Sequence, residues 1–280
     1  MNNGRRSRFL FTVTCFGLAF LYIPMILLII YSFNHSKLVP VWGGFSTRWY
    51  GVLFESEEVW ASVMLSLKIA AVNACFATLL GTLAGLALVR FGRFRGRTLF
   101  TGMITAPLVM PEVITGLSLL LLFITLKEFI GWPDNRGFTT ITIAHITFSM
   151  AYVAVIIQSR LTGMAQDLEE AAQDLGARPF RVLTDITLPL LAPGMLAGWL
   201  LSFTLSLDDL IIASFVSGPG SVTLPMLIYS RVRLGLRPDI NALATIIIIT
   251  VAVGVLIAGW IMLRQQKQRE MELQMSESGD

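Results

Sequence analysis

Charge is what this chain has least of. Charged side chains make up 14% of its 280 residues, against about 25% in soluble domains. That shortage excludes a fold surrounded by water. With 55% hydrophobic residues and a mean hydropathy of +0.72, the chain reads as an integral membrane protein, so its length does not count soluble domains. Cysteine is almost absent: Cys15 and Cys75 both fall inside apolar segments. They exclude a disulfide framework and point to interior packing. Two histidines and two cysteines, far apart, build no metal-ligand cluster, and no cofactor is expected. The phosphate-cradling pattern G-x-x-x-x-G-K-[ST] is missing. Energy for any pumping must then come from another chain. No Ser/His/Asp set or carboxylate pair sits in a soluble stretch, so the chain is not expected to be an enzyme. The net charge of +3 comes from loop arginines. It bears on membrane orientation, not on nucleic acid.

Six apolar runs are present. Phe9 to Phe33 follows a short basic start with Arg5, Arg6 and Arg8. It exceeds the ~20 residues a bilayer needs and is too long for a cleaved signal. Pro24 is expected to kink it. Asn34 to Trp60 is rich in tryptophan and tyrosine, which favour the membrane boundary, so a surface-lying loop is expected. The further spans are Ala61 to Val89, Phe100 to Leu126, Thr140 to Gln158, Leu190 to Phe215 and Ala242 to Leu263. Ala77, Gly81 and Gly85 form a stripe that lets another helix approach closely. Lys68 can snorkel. Pro107 and Pro111 break the third span. His145 reads as a hydrogen-bonded interior residue. Val216 to Asn241 reads as a Gly/Pro-rich loop, and Arg264 to Asp280 as a polar tail, either irregular or a frayed helix, without packing signal.

Lysine and arginine placement sets orientation. With a cytoplasmic N-terminus, the inner segments hold three, four, three and three, and the outer loops two, two and three. The run RFGRFRGR, with Arg90, Arg93, Arg95 and Arg97, is then an inner anchor between two spans, too tight for a nucleic-acid groove. Both termini are expected in the cytoplasm.

The longest polar interruption is Glu169 to Pro193, EEAAQDLGARPFRVLTDITLPLLAP. Leu168, Ala171, Ala172 and Leu175 recur at helical spacing and form a narrow apolar face. Glu169, Glu170, Gln173 and Asp174 cover the other side. Gly176 stands where a helix stop belongs. Pro179 can open a second short helix, and Pro189 is expected to end it. Glu170-Ala171-Ala172, three residues, Gly176, nine residues, Ile186, one residue, then Leu188-Pro189 resembles the EAA pattern of ABC importer permeases. The resemblance implies an all-α integral membrane fold with six transmembrane helices, the type I or MetI-like permease. It also implies a cytoplasmic coupling helix, Glu169 to Pro189, seated in a groove of a separate ATPase. The implied layout is a cytoplasmic N-terminus (1–8), a first transmembrane helix and periplasmic loop (9–60), a five-helix permease core (61–263) and a cytoplasmic tail (264–280).

Acids inside a bilayer cost about 2.5–3.5 kcal/mol each on insertion scales and usually face a cavity or a partner. Glu112, Asp208 and Asp209 are such residues. They either line a path for a cation, or cap broken helix ends and pair with Lys68 or a loop arginine. PLVMPEVITGLSLLLLF (Pro107 to Phe123) and SLDDLIIASFVSGPG (Ser206 to Gly220) resemble the permeases of spermidine/putrescine ABC importers, as do INALAT (Ile240 to Thr245) and YSFNHSKL (Tyr31 to Leu38). That resemblance implies a bacterial inner-membrane location, a second, non-identical permease, two ATPase copies and a periplasmic polyamine-binding protein. Arg231 and Arg233, placed outside against the usual bias, either meet that binding protein or pair with Asp239, Glu55, Glu57 or Glu58. Other readings of the residues are a stand-alone secondary transporter or channel for a cation, and an ABC permease for another solute such as ferric iron or a thiosulfate-like anion.

Overall fold

The computed structural model describes residues 3–36, 41–164, 167–234 and 238–277. Lys37, Leu38, Arg237 and the last three residues of the tail lie outside them. The described residues are helical apart from turns and one isolated bridge, Asn34 to Phe45. Six helices are long and apolar enough to cross a membrane: Arg8–Ser32, Glu57–Arg90, Glu112–Ile130, Phe138–Gly163, Pro179–Asp208 and Pro238–Ile257. The chain divides into two compact units, residues 1–57 with 230–280, and residues 58–229.

In the first unit, α1 (Asn3–Ser32) packs with α12 (Pro238–Glu277), and α12 also packs with α2 (Arg48–Phe54). α1 runs through Pro24 without a break. The aromatic loop after α1 is a folded knot built on Asn34. That side chain accepts from the Ser36 and Gly43 amides and donates to the Val41 carbonyl at 2.7 Å. Trp49 Nε1 donates to the Asn34 carbonyl at 2.7 Å, and Phe33 stacks on Phe45. Trp49 and Leu53 are buried. Trp49 thus satisfies a backbone carbonyl from a buried position, while Trp42 and Phe45 remain exposed.

The second unit is built around α6 (Phe138–Gly163). Its apolar window is 61% buried, the largest share of the six spans. α3 (Glu57–Arg90) lies against it through the expected small-residue stripe. A Cβ at Gly81 would stand 2.6 Å from Val153 Cβ, and one at Gly85 2.7 Å from Ile157 Cγ2. On another side, α9 (Leu188–Asp208) presents Gly198 to the same Val153, a Cβ there lying 3.1 Å from its Cγ1. Without a water-driven force inside a membrane, such close backbone contact is what holds helices together. Asn73 joins all three: its buried amide donates to the Ser202 carbonyl at 2.9 Å and the Ser149 hydroxyl at 3.2 Å. That bridge gives the apolar packing a register.

Boundaries differ from the sequence expectation in five places. The second span starts at Glu57, so Trp60 is inside a helix. The third is two helices, α4 (Arg97–Val109) and α5 (Glu112–Ile130). The break falls at Met110-Pro111, where the residue before proline is forced extended, while Pro107 stays inside α4. The fifth ends at Asp208, and α10 (Ile211–Val216) is separate. The stretch read as a Gly/Pro-rich loop holds α11 (Leu224–Leu234), with Pro225 in its first turn where proline is tolerated. The sixth helix begins at Pro238 and continues into the tail as far as Glu277. Cys15 and Cys75 are exposed, against the expectation of interior packing. Apolar runs in a membrane protein also clothe its outer faces, so burial does not follow from an apolar neighbourhood.

Candidate functional site

The EAA stretch folds as two short helices. α7 (Asp167–Asp174) carries three acids in its first turn, where the helix dipole favours them. Gly176 follows in the left-handed region with φ of +87°. The Ala177 amide donates to the Ala172 carbonyl at 2.9 Å and the Gly176 amide to the Gln173 carbonyl at 2.8 Å. That pair is a Schellman stop. α8 (Pro179–Val182) follows, with proline at its first position.

Pro189 does not end this piece. Between α8 and α9 lies a π turn, Leu183–Thr187, in which the Leu188 amide reaches back five residues to the Leu183 carbonyl. The helix runs on from Pro179 to Asp208. A proline clashes with the carbonyl four residues back. The wider turn ahead of Pro189 draws the backbone away from that clash, so the ring is carried without a stop.

Glu169, expected on the solvent side, is instead held. Arg90, the last residue of α3, donates from Nη2 to Glu169 Oε1 at 3.1 Å, and its Nε lies 3.1 Å from Oε2. Thr187, on the π turn, donates to Oε1 at 2.9 Å. Both charged side chains are only 14% exposed. Glu170, Leu168, Leu175 and Phe180 are exposed, Leu175 at 91%. Ala171 is exposed, Ala172 half-buried. Two hollows flank the segment. One of about 670 Å³ is lined by Ala172, Leu175, Gly176, Ala177, Arg178 and Arg181. The other, about 470 Å³, lies between the end of α3 and α8, with Glu169 and Arg90 on its wall. Ile186 and Leu188 are half-buried and Pro189 is exposed.

The three acids expected inside the membrane part company. Asp209 is used by the fold: Oδ1 accepts from the Ile212 amide at 3.3 Å and Oδ2 from the Ala213 amide at 2.7 Å. Its Oδ2 also lies 3.1 Å from His145 Nε2. His145 Nδ1 meets Ser206 Oγ at 2.7 Å. His145 is 2% exposed, the hydrogen-bonded interior residue expected. Asp209 therefore caps α10 and ties the break to α6, with His145 as a partner that no spacing pattern signalled. Asp208, one residue earlier, is exposed. It continues an open stripe of α9 through Leu196, Leu200 and Thr204, at every fourth position. Glu112 is exposed in the first turn of α5, directly after the Met110-Pro111 break. The structure thus separates the three acids that the sequence grouped.

Of the two arginines expected outside, Arg231 donates from Nη1 to Asp239 Oδ2 at 2.8 Å, with side chains 11% and 4% exposed. Asp239 is one of the pairings left open from sequence. Arg233 is exposed.

Six helices of membrane-crossing length and an exposed two-helix segment mark the chain as a membrane protein. The chain belongs to the family of binding-protein-dependent transport system inner membrane components, matched over residues 77–269. It is a multi-pass inner-membrane permease component and not an enzyme. It is 57% identical over 274 residues to the putrescine transport system permease protein PotI of Escherichia coli K12, covering 98% of each chain. To the spermidine/putrescine transport system permease protein PotC of the same organism it is 44% identical over 231 residues, covering 82% and 85%. Among solved structures, a bacterial ABC transporter that imports the acidic polysaccharide alginate matches with a TM-score of 0.71 at 19% identity, covering 94% of this chain and 96% of that one. The MetNI methionine ABC transporter matches with a TM-score of 0.60 at 16% identity, covering 75% and 98%. The fold is that of ABC importer permeases.

Proposed function

We propose that this chain is one of two non-identical permease subunits of an ATP-driven polyamine importer, with putrescine as its cargo. The match to a putrescine permease along 98% of both chains carries this reading; the relative named for spermidine and putrescine is more distant. Its partners are a second permease, an ABC ATPase dimer and a periplasmic polyamine-binding protein. Both termini and the EAA segment face the cytoplasm, in line with the excess of lysine and arginine on those segments.

The exposed side of α7, with Glu170, Ala171 and Leu175, seats in the ATPase. Gly176 sets the angle to α8, and Ile186, Leu188 and Pro189 carry the connection into α9. ATP-driven closure of the ATPase moves this segment and swings the spans between outward and inward openings. Asp208 and Glu112 face the central path and offer negative charge to a passing diammonium ion. Asp209 holds the break that presents Asp208. Arg231 and Arg233 are the candidate contacts for the binding protein on the outer face.

Uptake of labelled putrescine and spermidine by the reconstituted four-component complex tests this. ATP-dependent putrescine uptake is expected. Gradient-driven flux by this chain without an ATPase, or uptake of neither polyamine, would overturn it.

A further inference from the structure

Glu169 stands directly before the EAA triplet, yet its carboxylate faces its own chain. One oxygen accepts from Arg90 at the end of α3 and from Thr187 on the π turn, and the other lies against Arg90 Nε. Three elements therefore meet on one side chain: the coupling helix, the membrane span before the basic turn, and the origin of the span that presents Asp208. Thr187 is 3% exposed. Partial burial makes such a pair less screened than a surface bridge. The site of contact also matters. A π turn closes its hydrogen bond over one residue more than the α turns that flank it, and such turns recur at functional sites.

We infer that Glu169 is a positioning residue for transport: through Arg90 and Thr187 it passes displacement of the coupling helix to α3 and to the π turn at the root of α9. This inference rests on the docking of the exposed face of α7 against the ATPase. The two acids have separate tasks, Glu170 outward to the motor and Glu169 inward to the spans. Losing Glu169 should then leave the motor attached and turning while transport falls behind.

The test uses the complete complex with putrescine and ATP, and three readouts: co-purification of the ATPase, its hydrolysis rate, and putrescine moved per ATP. Glu169→Ala and Arg90→Ala are expected to retain the ATPase while transport per ATP falls about fivefold or more, the lower end of usual coupling factors. Thr187→Val, which keeps the shape and removes the hydroxyl, should lower the ratio less. The exchanged pair Arg90→Glu with Glu169→Arg restores the opposite charges and should recover part of the ratio; mere filling of space would not respond to it. An unchanged ratio in Glu169→Ala would overturn the inference. So would loss of the ATPase from Glu169→Ala, which would make Glu169 a docking contact, or failure of the exchanged pair to exceed both single variants. Failure of the docking reading itself would be distinct: the unaltered chain would then not retain the ATPase.

Discussion

Gly81→Ala is a one-carbon change with a sign that the structure decides. In an exposed helix, alanine improves on glycine by about 1 kcal/mol. At Gly81 the added carbon would stand 2.6 Å from Val153 Cβ and 2.8 Å from the Met150 carbonyl oxygen. Contacts are ordinary only from 3.4 Å, so α3 and α6 must part by about 0.8 Å, the difference between those two distances. Neither neighbour can swing aside, since one is backbone and the other is a β-branched residue with a single favoured rotamer in a helix. Overpacking of this kind costs about 1–3 kcal/mol, which exceeds the propensity gain for most of that range. Separating the helices also lengthens the 3.2 Å contact from Asn73 to Ser149. Gly102 is the internal control: it is in helix α4 and has nothing within 4 Å of the same added carbon. Gly102→Ala should be neutral or stabilising. Thermal unfolding of both variants in detergent, followed with monodispersity on a sizing column, compares them directly. A lower midpoint is expected for Gly81→Ala alone. Equal midpoints would show that α3 and α6 do not touch as described.

Asp208→Asn should leave thermal stability unchanged and raise KM for putrescine on the order of tenfold, the value of one charge-assisted hydrogen bond. Asp209→Ala should instead destabilise by about 1–3 kcal/mol, because two amides and His145 lose their acceptor. Stability and uptake measured on both variants would expose a reversed assignment. Gly176→Val forces a β-branched residue to φ of +87°, a strain of at least about 1–2 kcal/mol, and should abolish ATPase co-purification; retained association would remove the Schellman turn from docking. Asn73→Leu should lower the unfolding midpoint despite its apolar replacement, because the Ser202 carbonyl loses the Asn73 amide as a donor.

The class of fold was legible because it follows from local chemistry. Uncharged runs longer than about 20 residues have one stable outcome in a bilayer. Gly176 and Pro179 act on their own backbone, so the two short helices and the stop between them could be read directly. The stripe Ala77, Gly81, Gly85 announced a close helix contact because only small side chains permit one.

What the sequence could not settle are the partnerships across distance. Glu169 and Glu170 are chemically the same and adjacent; only the end of α3, 79 residues earlier, makes one inward and the other outward. Asp208 and Asp209 likewise differ only because His145 and the α10 amides claim one of them. The path through Pro189 depended on a π turn, whose extra residue relieves a clash that local rules take as terminal. Apolar patterning states that a segment enters the membrane, since that depends on transfer from water alone. Which side chains satisfy each other inside depends on how the helices are stacked, and only the tertiary structure decided that.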